Sequence, residues 1–254
     1  MANSPTGESV LERVDRILAA FTAEDSRLTG GQIAALTGLP TATAHRLARD
    51  MARRGWLERV EGGHYVVGTR LWELASRSSR ELDLARTARP FMGDIHAALR
   101  QHVQLGIVDG REVLLVERLS QPGAVPVRAS VAGRLPLHLS ATGLVLLAHG
   151  PREHQQAYLE APLSSVTGLS PTDPAVLAAD LERIRVQGHA VQTGYLEPDT
   201  TGIAVPVRGR GDQVVAGLGV VTRAGDPAAR AGAIVQALHT AAHGIRRTLR
   251  ETGR

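Results

Sequence analysis

A set of side chains between Thr41 and Arg59 combines hydrogen-bonding capacity with positive charge at intervals that suit a helix laid against a polyanion: Thr41, Thr43, His45, Arg46, Arg49 and Arg53, followed by Arg59. Hydroxyl, imidazole and guanidinium groups can reach base edges, and guanidinium groups pair with phosphates. From Thr41 to Val60 there are five arginines against two acids, Asp50 and Glu58. Such a patch attracts a phosphate backbone, although a charged run is more often only a solvated face. The small residues at Thr41 to Ala44 would let the start of the helix approach closely.

The chain offers little for catalysis. It contains no Gly-x-Ser-x-Gly, no His-Glu-x-x-His, no Walker loop and no Gly-x-Gly-x-x-Gly opening, so no catalytic residue is expected. His96 and His102 are six apart, which does not place two imidazoles on one helical face at metal spacing. The absence of cysteine removes disulfides, zinc-thiolate sites and thiol chemistry together. No metal and no cofactor is expected.

Length and composition bound the organisation. At 254 residues two domains are the better expectation, each with its own core. A hydrophobic fraction of 43% with no apolar run of transmembrane length implies a globular protein with no membrane partner. The N-terminal residues MANSPTGESVLERV lack the layout of a signal peptide, so a cytoplasmic location is expected. The net charge is +4, and all 29 basic residues are arginine.

The basic segment needs elements to position it. Ser9 to Phe21 reads as an amphipathic helix with Val10, Val14, Ile17, Leu18 and Phe21 on one stripe. After the polar loop TAEDSR, Thr29 and Gln32 read as a capping box opening a short helix that Gly38 stops. A third helix begins with Thr41 as N-cap and ends near Gly55, burying Ala44, Leu47, Ala48 and Met51. WLERV and HYVVG then flank Glu61-Gly62-Gly63 as a two-strand hairpin. This is the order of a winged helix-turn-helix, with a plain helical bundle as the alternative.

The residues SVLERVDRIL, LTGGQIAALTGLPTATAHRLARDMARRGWLER and HYVVGTRLWELA, with GRLPLHLSATGLVLLA and GIAVPVRG in the second half, resemble the IclR family of bacterial transcriptional regulators. The resemblance implies an α+β protein: a winged helix-turn-helix DNA-binding domain over 1–68, a linker helix over 69–85, and over 86–254 a GAF-like effector and oligomerisation domain with an antiparallel sheet. It further implies homodimers or homotetramers on a palindromic operator in double-stranded DNA, and a small-molecule effector.

The second half agrees element by element. ELDLARTARPFMGDIHAALRQH reads as helical, with Pro90 marking a break or a helix start. VQLGIVDG and EVLLVERL form a hairpin at Asp109-Gly110. PTDPAVLAADLERIRVQG reads as a helix capped by Thr172 or Asp173 and stopped by Gly188. HAVQTGYL, TGIAVPVRG and QVVAGLGVVTR read as strands, with a turn at Gly211-Asp212, and DPAARAGAIVQALHTAAHGIRRTLRE as the closing helix.

In the family the segment matching Pro136 to Leu144 lends backbone N–H groups to the effector. A helix start is a natural anion site. Ser140, Ala141, Thr142 and Gly143 are the matching positions, although Ser140 is a good N-cap with or without a ligand. His138 lies beside them, with a packed loop histidine as the plainer reading.

Departures from the family pattern fall at Leu144, for a common Lys; Gly202, for Cys; Gly219 and Val221, for two serines; and Gln192, for an acid. These changes lead us to expect a roomier and less polar pocket, suited to an aromatic or amide-like effector rather than a small keto or hydroxy acid. The reading is a ligand-responsive regulator, as a repressor of a catabolic operon. A sensor or scaffold without DNA binding and an unrecognised enzyme are the alternatives.

Overall fold

The computed structural model describes residues 8–22, 24–121, 123–125, 130–225 and 231–251, in two compact units, Met1–Ser79 and Arg80–Arg254. The first unit opens with helix α1 (Val10–Ala19), whose N-cap Ser9 and Glu12 form a reciprocal capping box. Ile17 is buried and Val14, Leu18 and Phe21 pack beside it. Val10, expected on that stripe, is 56% exposed, because the first turn lies beyond the end of this core. Strand β1 (Leu28–Thr29) leads into α2 (Gly30–Thr37), capped as expected by Thr29 and Gln32 and closed by Gly38 at φ 66°.

Helix α3 (Thr41–Arg53) is capped by Pro40 and not by Thr41, which occupies the first helical position. The rigid φ of proline, −53° here, already points the chain into the helix. Ala44, Leu47, Ala48 and Met51 are buried as the periodicity required. Strands β2 (Leu57–Arg59) and β3 (His64–Val67) form the hairpin, and Gly62 and Gly63 supply the positive φ of its turn. The expected two-strand wing is a three-stranded sheet in the order β1-β3-β2. A two-residue strand is too short to leave an alternation pattern in the sequence.

The segment expected as one linker helix over 69–85 is divided: α4 (Thr69–Ser78) ends within the first unit and α5 (Arg80–Leu99) begins the second. Pro90 neither breaks nor starts α5 but sits inside it. Arg86, whose carbonyl loses its helical partner, and Pro90 are both exposed, so water can take the place of the missing bond.

In the second unit β4 (His102–Asp109) and β5 (Glu112–Leu119) form the expected hairpin, with Gly110 at φ 61°. Short β6 (Arg134–Pro136) precedes helix α6 (Ala141–His149), and α7 (Arg152–Glu160) follows it. Helix α8 (Pro174–Gln187) is capped by Asp173 and stopped by Gly188 at φ 74°. Strands β7 (Ala190–Thr193), β8 (Thr200–Arg208) and β9 (Val214–Arg223) complete an antiparallel sheet in the order β6-β5-β4-β9-β8-β7. The closing helix α9 runs Ala231–Glu251, and the expected earlier start at 226–230 lies outside the described residues.

Two cores sandwich this sheet. Leu84, Ala88 and Met92 of α5 and Leu238, Ala241 and Ile245 of α9 cover one face through Leu105, Val205 and Leu218. Ala141, Leu144 and Val145 of α6 and Leu177 and Leu181 of α8 cover the other through Val113, Leu115 and Ala204. The result is an α+β domain with helices on both sides of one antiparallel sheet.

Glycines decide how near α6 comes to the sheet. A Cβ at Gly217 would stand 2.8 Å from Thr142 Cγ2, one at Gly219 2.8 Å from Thr142 Oγ1, and one at Gly106 3.1 Å from Thr142 Cγ2. The side chain of Thr142 thus fills the space that Gly217 and Gly219 leave, and shares that at Gly106 with Val113. Gly219→Ser is therefore expected to lower stability by about 1–3 kcal/mol, as overpacked sites do. A thermal melt of the full chain in which Gly219→Ser matches the parent would show that α6 is not seated in this way.

Candidate nucleic-acid interface and effector site

Burial of Ala44, Leu47, Ala48 and Met51 fixes the rotation of α3, so Thr41, His45, Arg46, Arg49 and Arg53 are exposed and Thr43 is half-buried. Arg46, Arg49 and Arg53 from α3 and Arg59 from β2 line one open groove of about 780 Å³ between the helix and the hairpin. Asp50 and Glu58 also line it, and Asp50 pairs with Arg46 at 3.5 Å and with Arg53 at 2.5 Å. These pairs are solvent-exposed and contribute little stability, so a phosphate can compete for the arginines at small cost. The imidazole of His45 is not wholly turned outward: its Nε2 lies 2.9 Å from where a Gly30 Cβ would stand, so the ring rests on the first turn of α2. The carbonyl of His45 accepts from Arg49 Nε at 3.3 Å.

The second unit holds a cavity of about 70 Å³ at the start of α6. Ser140 caps the helix, its hydroxyl accepting from the Gly143 N–H at 3.0 Å. The amides of Ala141 and Thr142, in the first turn, have no carbonyl one turn back to pair with. Gln104 of β4 donates from Nε2 to Thr142 Oγ1 at 3.3 Å. Opposite, Gln192 Oε1 accepts from the Tyr195 N–H at 3.3 Å. Its Nε2 lies 2.9 Å from where a Gly202 Cβ would be.

Six of the sequence-derived effector positions, Ser140, Ala141, Thr142, Gln192, Gly202 and Val221, come together on this wall. His138, Gly143 and Gly219 do not reach it. The ring of His138 is held by Tyr158 Oη at 2.6 Å from Nδ1 and by the Ser164 carbonyl at 2.8 Å from Nε2. Burial, ahead of the nearby charge of Arg111, pulls its pKa below the ordinary histidine value, so it is a neutral packing residue. Gly143 is pressed against the Leu137 backbone, and Gly219 lies beneath Thr142.

The space that Gly202 and Gly219 were expected to leave is filled from within, while the cavity wall stays mostly apolar. The Gln192 amide fills the space beside Gly202, the Thr142 hydroxyl fills that beside Gly219, and Gln104, Glu197 and Thr200 add polar groups to the wall. Gln104, Leu135, Leu196, Glu197, Thr200, Ile203 and Val220 line the cavity without having been singled out. A signal existed for Gln104, the lone amide in the otherwise apolar run VQLGIV. None existed for the loop residues Leu196 and Glu197, whose approach depends on the β7–β8 turn.

Comparison with known proteins fits both halves of this geometry. Residues 10–61 match the IclR helix-turn-helix domain, and residues 77–247 match the bacterial transcriptional regulator IclR C-terminal domain. The HTH-type transcriptional regulator KipR of Bacillus subtilis is 29% identical over 194 residues, 76% of this chain and 78% of that protein. The Pca regulon regulatory protein of Pseudomonas putida is 28% identical over 211 residues, 82% of this chain and 72% of its own length. A crystal structure of an IclR homolog from Microbacterium hydrocarbonoxydans, complexed with 4-hydroxybenzoate, is 40% identical, with a TM-score of 0.91 over 96% of this chain and 100% of that one. With both of its units matched, the chain belongs to the IclR family of bacterial HTH-type transcriptional regulators.

Proposed function

We propose that this regulator is a homodimer or homotetramer that represses a catabolic operon from the cytoplasm, by setting paired α3 helices in successive major grooves of a palindromic operator. The arginine-lined groove between α3 and β2 carries this reading, because it presents Arg46, Arg49, Arg53 and Arg59 along one concave surface. Thr41, Thr43, His45 and Arg46, at the start of the helix, are placed for base edges, and Arg49, Arg53 and Arg59 for phosphates. No catalytic step is part of the proposal.

The effector we assign to the α6 cavity is an aromatic carboxylic acid of the 4-hydroxybenzoate kind. Support comes from the similar Microbacterium homolog complexed with that acid and from the unpaired amides at the start of α6. A cavity that takes up benzene measures about 150 Å³. At about 70 Å³ the site must open, and the Gln192 side chain over Gly202 is the group to move.

Gel shifts with DNA from upstream of the protein's own gene test the proposal, with 4-hydroxybenzoate as the titrant. The expected outcome is a retarded complex that the acid releases; a complex indifferent to it would remove the aromatic-acid assignment. Arg46→Ala should weaken operator binding by about 1–3 kcal/mol with an unchanged melting temperature, as loss of one base or charged phosphate contact does. Unchanged affinity in a folded variant would take Arg46 out of the interface. Each arginine–phosphate contact should also steepen the fall of log K with log salt by about 0.9. A flat salt dependence would contradict electrostatic anchoring in the groove.

A further inference from the structure

Beside the effector cavity lies a guanidinium with no anion. Arg118 of β5 stands directly opposite Gln104 of β4, so the two side chains leave the same face of the sheet. Its guanidinium leans back over β4, with Nη2 3.2 Å from His102 Nδ1. His102 shares that face, being two residues from Gln104, and stands opposite Val221 of β9. Gln104 and Val221 both line the cavity. The charged end of Arg118 thus lies outside the cavity's lining but on the same face of the sheet, next to the positions of Gln104 and Val221.

The surroundings leave this charge uncompensated. His102 Nε2 lies 2.5 Å from the Val125 carbonyl, so that nitrogen carries the proton and Nδ1 is the acceptor for Arg118 or for the Ser120 hydroxyl at 3.1 Å. Burial first, with the charge of Arg118 adding to it, lowers the pKa of His102 and keeps the ring neutral. Glu117, the next residue along the chain, alternates to the other face, where Arg89 holds it at 2.7 Å. Its Oε1 accepts only the backbone N–H of Arg118, at 2.9 Å. Among the described residues no carboxylate stands within ion-pair distance of the Arg118 side chain, and its Nε is buried with no hydrogen-bond partner.

A half-buried guanidinium with an idle donor costs stability unless something else uses it. We infer that Arg118 is the counter-charge for the effector's carboxylate, which would lie over His102 and accept from Arg118, with the ring directed along the cavity toward Gly202. This inference rests on the reading of the cavity as the effector site. The acid on the far wall, Glu197, has an interaction of its own. It lies beside β8, which is separated by β9 from β4, over which the guanidinium leans, so about 10 Å of sheet divides the two groups. Guanidinium geometry, with two parallel N–H donors, favours a carboxylate over a neutral group.

Calorimetric titration of the full chain with 4-hydroxybenzoate and with 4-hydroxybenzamide, its neutral analogue, tests the inference. The parent protein should prefer the acid by about tenfold or more, the usual worth of a charge-assisted hydrogen bond. Arg118→Gln should abolish that preference by weakening the acid alone, leaving amide affinity within about twofold, too small a change for a lost hydrogen bond. Arg118→Met, which retains the packing of the aliphatic stem, should behave alike and serves if the glutamine variant does not fold. A preference for the acid that survives in either folded variant overturns the inference and gives the carboxylate to the start of α6. Equal loss of both probes makes Arg118 a structural residue and overturns it as well. If the parent binds neither probe, the aromatic-acid reading of the effector itself fails.

Discussion

The C-terminal unit is organised around the close approach of one helix turn to one patch of sheet. Thr142 occupies the space that Gly217 and Gly219 on β9 leave open, with Val113 closest to that at Gly106 on β4, so α6 lies lower on the sheet than side chains on β9 would permit. Burial of the whole run from Ala141 to Ala148 follows from this seat, and so does the aim of the first-turn amides across the sheet. The cavity is what remains between that turn, the strand ends and the β7–β8 loop. A contact between a threonine and bare backbone thus sets both the stability of the unit and the depth of its ligand site.

The N-terminal unit follows a simpler rule, in which an apolar face fixes what the opposite face presents. Leu47 and Met51 determine the rotation of α3, and the polar residues then point outward by helical geometry alone. His45 belongs partly to both faces. Its ring rests on Gly30, so the angle between α2 and α3 and the position of the His45 ring are set by the same contact.

Much of this architecture was legible in the sequence because it rests on local rules. Caps at Thr29 and Asp173, stops at Gly38 and Gly188 and the Asp109-Gly110 turn each depend on a few neighbouring residues. The misses share a different cause. Pro90 inside α5 depends on which side of the helix meets solvent, and β1 depends on a partner strand far along the chain. At the α6 cavity, the candidate effector site, the family pattern had singled out the helix start and the strands that line it. What it could not convey was that the vacancies at Gly202 and Gly219 are filled from within, by Gln192 and Thr142. The hydrogen bond across β4 and β5 was hidden for the same reason, since Arg118 and His102 become neighbours only once the register is set.

The amide of Gln192, tethered to the Tyr195 N–H and lying over Gly202, takes up space that the pocket would otherwise include. A ligand entering such a pocket competes with a tethered internal occupant, and its apparent dissociation constant rises by the inverse of the fraction of molecules in which that occupant stands aside. The response threshold of the regulator is then a property of residue 192 and its tether as much as of the groups that recognise the ligand. Substitutions there would move the concentration at which the regulator responds.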